Sequence, residues 1–123
     1  QENVDAIYNL GFCYNNGLGV PQSHTEAFDL YCKAAELGHI DDQFKWGSCC
    51  SNGWGVQRSY EEAARWYLKA AVGGHVIAQF CIGFCYENGQ GVAINMKYAV
   101  KWYRKAAEQG HQDAKDALKR LGY

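Results

Sequence analysis

Residues 82–92 read Ile-Gly-Phe-Cys-Tyr-Glu-Asn-Gly-Gln-Gly-Val. The frame returns 36 residues earlier, at 46–56, as Trp-Gly-Ser-Cys-Cys-Ser-Asn-Gly-Trp-Gly-Val, and again at 10–20 as Leu-Gly-Phe-Cys-Tyr-Asn-Asn-Gly-Leu-Gly-Val. Gly11, Gly47 and Gly83 align, as do Gly17, Gly53 and Gly89, and Gly19, Gly55 and Gly91 with the valines Val20, Val56 and Val92 that follow. Lys-Ala-Ala runs beginning at Lys33, Lys69 and Lys105, and Gly-His pairs beginning at Gly38, Gly74 and Gly110, keep the same register. Self-similarity at a period between about 20 and 50 residues is the mark of a solenoid, whose units bury their apolar faces only by stacking.

Each unit reads as a helical hairpin. In the first, helix A runs from about Val4 to Asn15, with Ile7, Leu10, Gly11 and Tyr14 on one stripe, and helix B from about His24 to Leu37, with Ala27, Leu30, Tyr31 and Ala34. The segments between them, NGLGV, NGWGV and NGQGV, are turns, in which glycine takes positive φ without steric cost. Ser23 with Glu26, and Ser59 with Glu62, have capping-box spacing at the start of helix B, and Asn95 caps the third copy without a reciprocal glutamate. Glycines 11, 47 and 83 share their period with Ala27, Ala63 and Ala99, which predicts helices packed near the lower end of the usual separation of about 8–10 Å. The expected architecture is all-α, a single domain over 1–123 with repeats at 4–39, 40–75 and 76–111. Residues 112–123 repeat helix A alone, with Ala114 and Leu118 in register and Lys119 in place of glycine, and are expected to cap the stack with a charged outer face.

Composition agrees with a folded chain: 48 % of its 123 residues are hydrophobic, and Pro21 is the single proline. No apolar run approaches the about 18 residues of a membrane span, and no basic-then-apolar leader follows Gln1, although a chain that begins mid-pattern reads as a fragment. Charge is uneven. Residues 1–44 hold seven acids and one base, and residues 45–123 hold six acids and eleven bases. Ends of opposite sign suit head-to-tail self-association of modules, and equally a solvated surface; they lack the basic stripe with stacking aromatics that a nucleic-acid partner requires.

Recurrence at one period also bears on catalysis. Cys13, Cys49 and Cys85 share a repeat position, so they should lie about 8–10 Å apart, beyond the about 4.4–6.8 Å between α-carbons that a disulfide requires. They read as small buried apolar groups, while Cys32, Cys50 and Cys81 have no systematic partner; a bond from Cys81 to Cys50 or Cys85 stays open. Unpaired thiols favour a reducing, cytosolic setting. His39, His75 and His111 recur likewise, too far apart to ligate one zinc at about 2.0–2.1 Å, and are expected to serve the loop after helix B. Neighbouring acids at Asp41 and Asp42, and at Glu61 and Glu62, flank helix starts, where the helix dipole accounts for them. With no nucleophile motif, glycine-rich phosphate loop or Cys-x-x-Cys pair, no catalytic residue, metal site or cofactor is assigned.

The Leu-Gly pair, the tyrosine three residues on, the G-x-G-V turn, the Trp-Tyr pair and the Lys-Ala-Ala run ending in glycine resemble the Sel-one-like repeat family, a relative of the tetratricopeptide repeats. The likeness covers nearly the whole chain. Trp46 and Ile82 stand for the leucine, Leu30 for the first tryptophan, and Cys50 for a tyrosine whose lost ring Trp46 or Trp54 is expected to replace. Some cysteine-rich bacterial relatives, described as penicillin-binding, carry a cysteine at the second alanine of Lys-Ala-Ala, bonded to the next helix A. Here those places hold Ala35, Ala71 and Ala107 opposite Gln43, Gln79 and Lys115, so that framework does not carry over.

The resemblance implies a right-handed superhelix that serves as an adaptor or scaffold for a protein or peptide partner. In the tetratricopeptide register helix A lines the concave side. Its positions off the packing stripe are Asp5, Tyr8, Phe12, Asn15 and Asn16, then Asp41, Phe44, Ser48, Ser51 and Asn52, then Ile77, Phe80, Phe84, Glu87 and Asn88. From these, Tyr8, Phe12, Asn16, Phe44, Ser48, Asn52, Phe80, Phe84 and Asn88 are the candidate partner-binding residues, aromatic anchors beside adaptable polar groups. The rings are equally suited to packing helix A within the stack. Trp54, where other copies have Leu18 and Gln90, is either an exposed hot spot or a lid over Cys50. A carbohydrate- or cell-wall-binding module using this turn-edge aromatic is the alternative function.

Overall fold

The computed structural model describes residues 4–54 and 57–123; Gly55 and Val56, in the second turn, lie outside the described residues. Seven helices follow one another: α1 (Val4–Asn16), α2 (His24–Glu36), α3 (Ile40–Asn52), α4 (Tyr60–Val72), α5 (Val76–Asn88), α6 (Met96–Glu108) and α7 (Gln112–Arg120). Each packs on the next in chain order, so α1–α2, α3–α4 and α5–α6 are the hairpins and α7 closes the stack. None of the described helices is long and apolar enough to cross a membrane.

The glycine on each helix A makes room chiefly for a tyrosine. A β-carbon on Gly11 would lie 2.9 Å from the Tyr31 ring, one on Gly47 2.9 Å from Tyr67, and one on Gly83 2.8 Å from Tyr103; the backbone carbonyls of Ala63 and Ala99 stand 3.3 Å from the latter two. The glycine-to-alanine approach is therefore real at the backbone, but the ring sets the fit. In the turn, Gly91 is irreplaceable on two grounds. Its φ is +78°, and a β-carbon there would collide with the Tyr60 carbonyl of the preceding hairpin.

Ser23, Ser59 and Asn95 cap helix B, accepting from the amides of Glu26, Glu62 and Tyr98. The reciprocal half of the capping box does not form. The amides of Ser23, Ser59 and Asn95 instead donate to the carbonyls of Tyr14, Cys50 and Tyr86 at the end of helix A, at 2.8, 2.8 and 2.9 Å. This bond ties the two helices of a hairpin together, and it explains why Asn95 works without a glutamate.

Position in the stack decides what is buried. Ile82 is fully enclosed, in a cluster with Ala64 and Ala71 of α4 and Trp102 of α6, whereas Leu10 at the same repeat position is 44 % exposed because no described helix B precedes α1. Trp46 at that position stacks on Trp66 at 4.2 Å and packs against the cluster holding Cys50, so it is Trp46 that fills the missing tyrosine's space. Between the second and third repeats, the Gln79 side-chain amide donates to the Ala71 carbonyl at 3.2 Å and accepts from Gln109 at 2.7 Å. A hydrogen-bonded bridge through Gln79 thus ties the second and third repeats at this joint.

Candidate functional site

Helix A of each later unit opens on a histidine. His75 Nδ1 accepts from the Ala78 amide at 3.1 Å and His111 Nδ1 from the Ala114 amide at 3.2 Å, so the recurrent histidines are N-caps. With Nδ1 accepting, His75 carries its proton on Nε2, which faces Asp41 at 3.3 Å; burial nonetheless pulls this imidazole below its ordinary value. The same rings anchor the first series of candidate aromatics. Phe44 stacks on His75 at 4.5 Å and tilts on Tyr67 at 5.6 Å; Phe80 lies 5.0 Å from His111 and 5.6 Å from Tyr103; Tyr8 lies 5.7 Å from both His39 and Tyr31. Tyr8, Phe44 and Phe80 are half-buried by these ring contacts, while Phe12 and Phe84, one turn later, are exposed.

Asn16, Asn52 and Asn88 use their side-chain donors on their own helix, bonding the carbonyls of Phe12, Ser48 and Phe84 at 3.0, 2.8 and 3.0 Å. They remain exposed. Trp54 does not cover Cys50. It stacks on His24 at 5.9 Å, and His24 Nδ1 in turn meets Oδ1 of Asn15 at 2.9 Å, which leaves the indole 43 % exposed.

Two cavities on the helix A face are the same site in successive repeats. The first, about 230 Å³, is lined by Asn15, Tyr31, Phe44, Lys45, Ser48, Cys49, Asn52 and Trp54. The second, about 290 Å³, is lined by Ser51, Tyr67, Phe80, Cys81, Phe84, Cys85 and Gln90, which are the equivalents 36 residues on, save that Asn88 is not part of the wall. Their chemistry differs. Where the first has Lys45, Ser48 and Trp54, the second has Cys81, Phe84 and Gln90. Burial pushes the Cys81 and Cys85 thiols up to about 12 and about 11, so they act as apolar wall and not as nucleophiles. The Tyr67 hydroxyl, 3.4 Å from Ser48 Oγ, stands between the two. One repeat further on, at Glu87, Tyr103 and Arg120, the position is filled. Arg120 donates twice to the Glu87 carboxylate, at 2.7 and 2.9 Å, and the Tyr103 hydroxyl donates once, at 2.7 Å. A further cavity, about 610 Å³, lies elsewhere, on α6 between Lys97, Tyr98, Lys101, Arg104 and Tyr123.

Asp42 departs from the expected helix-start role. A favourable helix dipole does not account for it, because its carboxyl is fully buried, at the position that Ala78 and Ala114 occupy in the later repeats. Oδ2 of Asp42 lies 2.7 Å from His39 Nδ1, poorly aligned for a hydrogen bond, and His39 makes no side-chain cap to its helix. Burial pushes the carboxyl up to about 7 against the pull of His39. The signal was available: an acid at a period where the other copies have alanine. Among the described residues, no group of three histidine, cysteine or acidic side chains is placed to hold a metal, and all six cysteines are unpaired.

The Sel1 repeat model matches residues 4–39, 40–75 and 76–111. The chain belongs to the Sel1 repeat family. Among solved Sel1 repeat structures, it is similar to the Sel1 repeat protein of Oxalobacter formigenes, with 38 % identity and a TM-score of 0.88 over 91 % of this chain and 46 % of that one. It is similar also to c5321, described as a protective antigen present in uropathogenic Escherichia coli strains and displaying this fold, with 36 % identity and a TM-score of 0.94 over 96 % of this chain and 25 % of that one. Cysteine rich protein B of Helicobacter pylori matches with 29 % identity and a TM-score of 0.78 over 94 % and 88 % of the two chains. The chain thus spans less than half the length of the first two relatives. Among curated proteins, none matches it. The three Sel1 repeats are the three hairpins described above, and α7 is the helix that follows them.

Proposed function

We propose that this Sel1 repeat chain is a binding scaffold that takes a protein partner, as an extended peptide, along the helix A face. The observation that carries this reading is the pair of homologous cavities set side by side on that face, with exposed Phe84 at the wall of one and exposed Trp54 at the wall of the other. Such repeats generally mediate protein interactions, and exposed aromatics beside adaptable polar groups are what peptide recognition uses. No catalytic role belongs to this reading. Phe12, Asn16, Ser48, Asn52, Phe84 and Asn88 are its exposed or polar contact residues, Phe44 and Phe80 floor the two cavities, and Tyr8 is the equivalent ring in the first repeat.

Capture of a partner from native lysate tests the scaffold. Phe84→Ala, alone and with Phe80→Ala, is expected to abolish capture while the single variant keeps its helical circular dichroism. Unchanged capture by a folded Phe84→Ala chain would overturn the reading.

Trp54 supports a second reading, a carbohydrate-binding module. Its exposed ring is held flat on His24 next to Asn15 and Asn52, as a sugar-stacking platform would be. Glycan-array binding that disappears in Trp54→Ala is the expected result, and an array without hits removes this alternative.

A further inference from the structure

The two homologous cavities differ at the positions that decide what each accepts. In the first, Lys45 is the sole cation in the wall, and its ammonium forms no ion pair among the described residues. The nearby Asp42 carboxyl is buried and set against His39, so it does not occupy this role. Beside Lys45 stand the Ser48 hydroxyl and Asn15, whose Oδ1 is engaged by His24 and whose amide N–H groups are therefore the end left for a ligand. An ammonium, a hydroxyl and an amide donor around one cavity match a carboxylate. Among the described residues, the second cavity has no charged group in its wall. Phe80, Phe84, the two high-pKa thiols and the Tyr67 ring give it an apolar character, which suits a large aliphatic or aromatic side chain.

Spacing joins the two. The two cavities adjoin, the Tyr67 hydroxyl at the wall of the second lying 3.4 Å from Ser48 Oγ at the wall of the first, and their centres are separated by a distance on the order of 10 Å, the scale of one helix-packing step. A chain in polyproline-II conformation rises about 3.1 Å per residue and turns once in three residues, so residues three apart span that step and face the same side, as they would not in a β-strand. Beyond the second cavity the series stops, because Arg120, Glu87 and Tyr103 satisfy one another where a third compartment would open.

We propose that the helix A face is a two-point reader, which holds a carboxylate at Lys45 and a large apolar side chain at Phe84 from residues three apart in a peptide of polyproline-II conformation. This rests on the peptide-binding reading above and specifies its ligand. The determinants are the differences between copies: Lys45 against Cys81, and Ser48 against Phe84.

The test is an NMR titration of the isotopically labelled chain with short blocked peptides. Acetyl-Glu-Ser-Ser-Leu-amide and the reversed acetyl-Leu-Ser-Ser-Glu-amide cover the two chain directions. Glutamine versions remove the charge, acetyl-Ser-Glu-Leu-Ser-amide removes the spacing, and acetyl-Leu-Ser-Ser-Gly with a free carboxylate moves the charge to the chain end. One direction is expected to bind about tenfold more tightly than its glutamine and adjacent-spacing counterparts. Its shifts should fall on Lys45, Ser48 and Phe84, and Lys45→Met or Lys45→Gln should erase the preference for glutamate. Tighter binding of the free-carboxylate peptide would assign the first cavity to a chain terminus. Equal binding of glutamate and glutamine peptides, a preference that survives at position 45 in both variants, or no shift with any peptide would overturn the inference. Lysate capture that depends on Phe84 would then still support the scaffold, so the two failures are distinct.

Discussion

Glu87, at the end of α5, accepts both terminal nitrogens of Arg120 on α7, at 2.7 and 2.9 Å, and the carboxylate is itself only 11 % exposed. Arg120 occupies the repeat position of Phe12, Ser48 and Phe84. The last helix thus caps the stack by closing the helix A face as well as by presenting charge to water. The arginine and the Tyr103 hydroxyl hold the Glu87 carboxylate below its ordinary value of 4.5.

From this follows a pH-dependent expectation. A carboxylate with a depressed folded pKa contributes stability above its unfolded value, and that contribution disappears as pH falls through the folded value. Arg120→Ala is therefore expected to lower the melting temperature at pH 7, and the gap from wild type should narrow steadily below pH 4.5. A gap independent of pH would show that Arg120 acts by packing alone.

Asp42 gives the opposite slope. Its folded value of about 7 lies above the ordinary 3.8, so the folded chain binds the extra proton between them, and stability from this group rises as pH falls through that window. Asp42→Ala restores the residue of the other repeats and frees His39 to cap the helix as His75 and His111 do. It should stabilise the chain at pH 8 by about 1–3 kcal/mol, and by less at pH 5. Urea denaturation at the two pH values checks the sign.

Gly83→Ala sets two effects against each other. Alanine improves helix propensity by about 1 kcal/mol, but its β-carbon would meet the buried Tyr103 ring at 2.8 Å, and overpacking of this kind costs about 1–3 kcal/mol. The ring is fully enclosed and bonded to Glu87, so it has no room to retreat. Net destabilisation is expected in urea, and a stabilised variant would mean that the hairpin separates readily.

Thiol reactivity separates burial from sequence position. Cys49, Cys81 and Cys85 are buried or nearly so, with pKa values pushed up to about 11, about 12 and about 11. They should react with an aromatic disulfide reagent only on unfolding, when all six become titratable. Fast native reaction at Cys81 would show that the second cavity is solvated and not apolar.

The repeats, their helices and the caps were legible because each depends on local chemistry. Glycine and asparagine in the turn, serine or asparagine before helix B, and apolar residues at helical spacing repeat in register. Residues 8, 44 and 80 were ambiguous for a physical reason. A half-buried ring on helix A suits either a partner or a neighbouring loop, and only the fold brings His39, His75 and His111 against them. Phe12 and Phe84 differ in being one turn further along, outside the reach of those histidines.

The sequence by itself determined the period, the all-α hairpin and the places where copies diverge, since these follow from spacing along one chain. Tertiary structure decided which divergences matter. It enclosed Ile82 but left Leu10 exposed, buried a carboxyl at Asp42, laid Trp54 on His24, and paired Arg120 with Glu87. Each of those outcomes depends on which neighbour in the stack supplies the opposing surface, and residues 33 positions apart have no local signal that announces their contact.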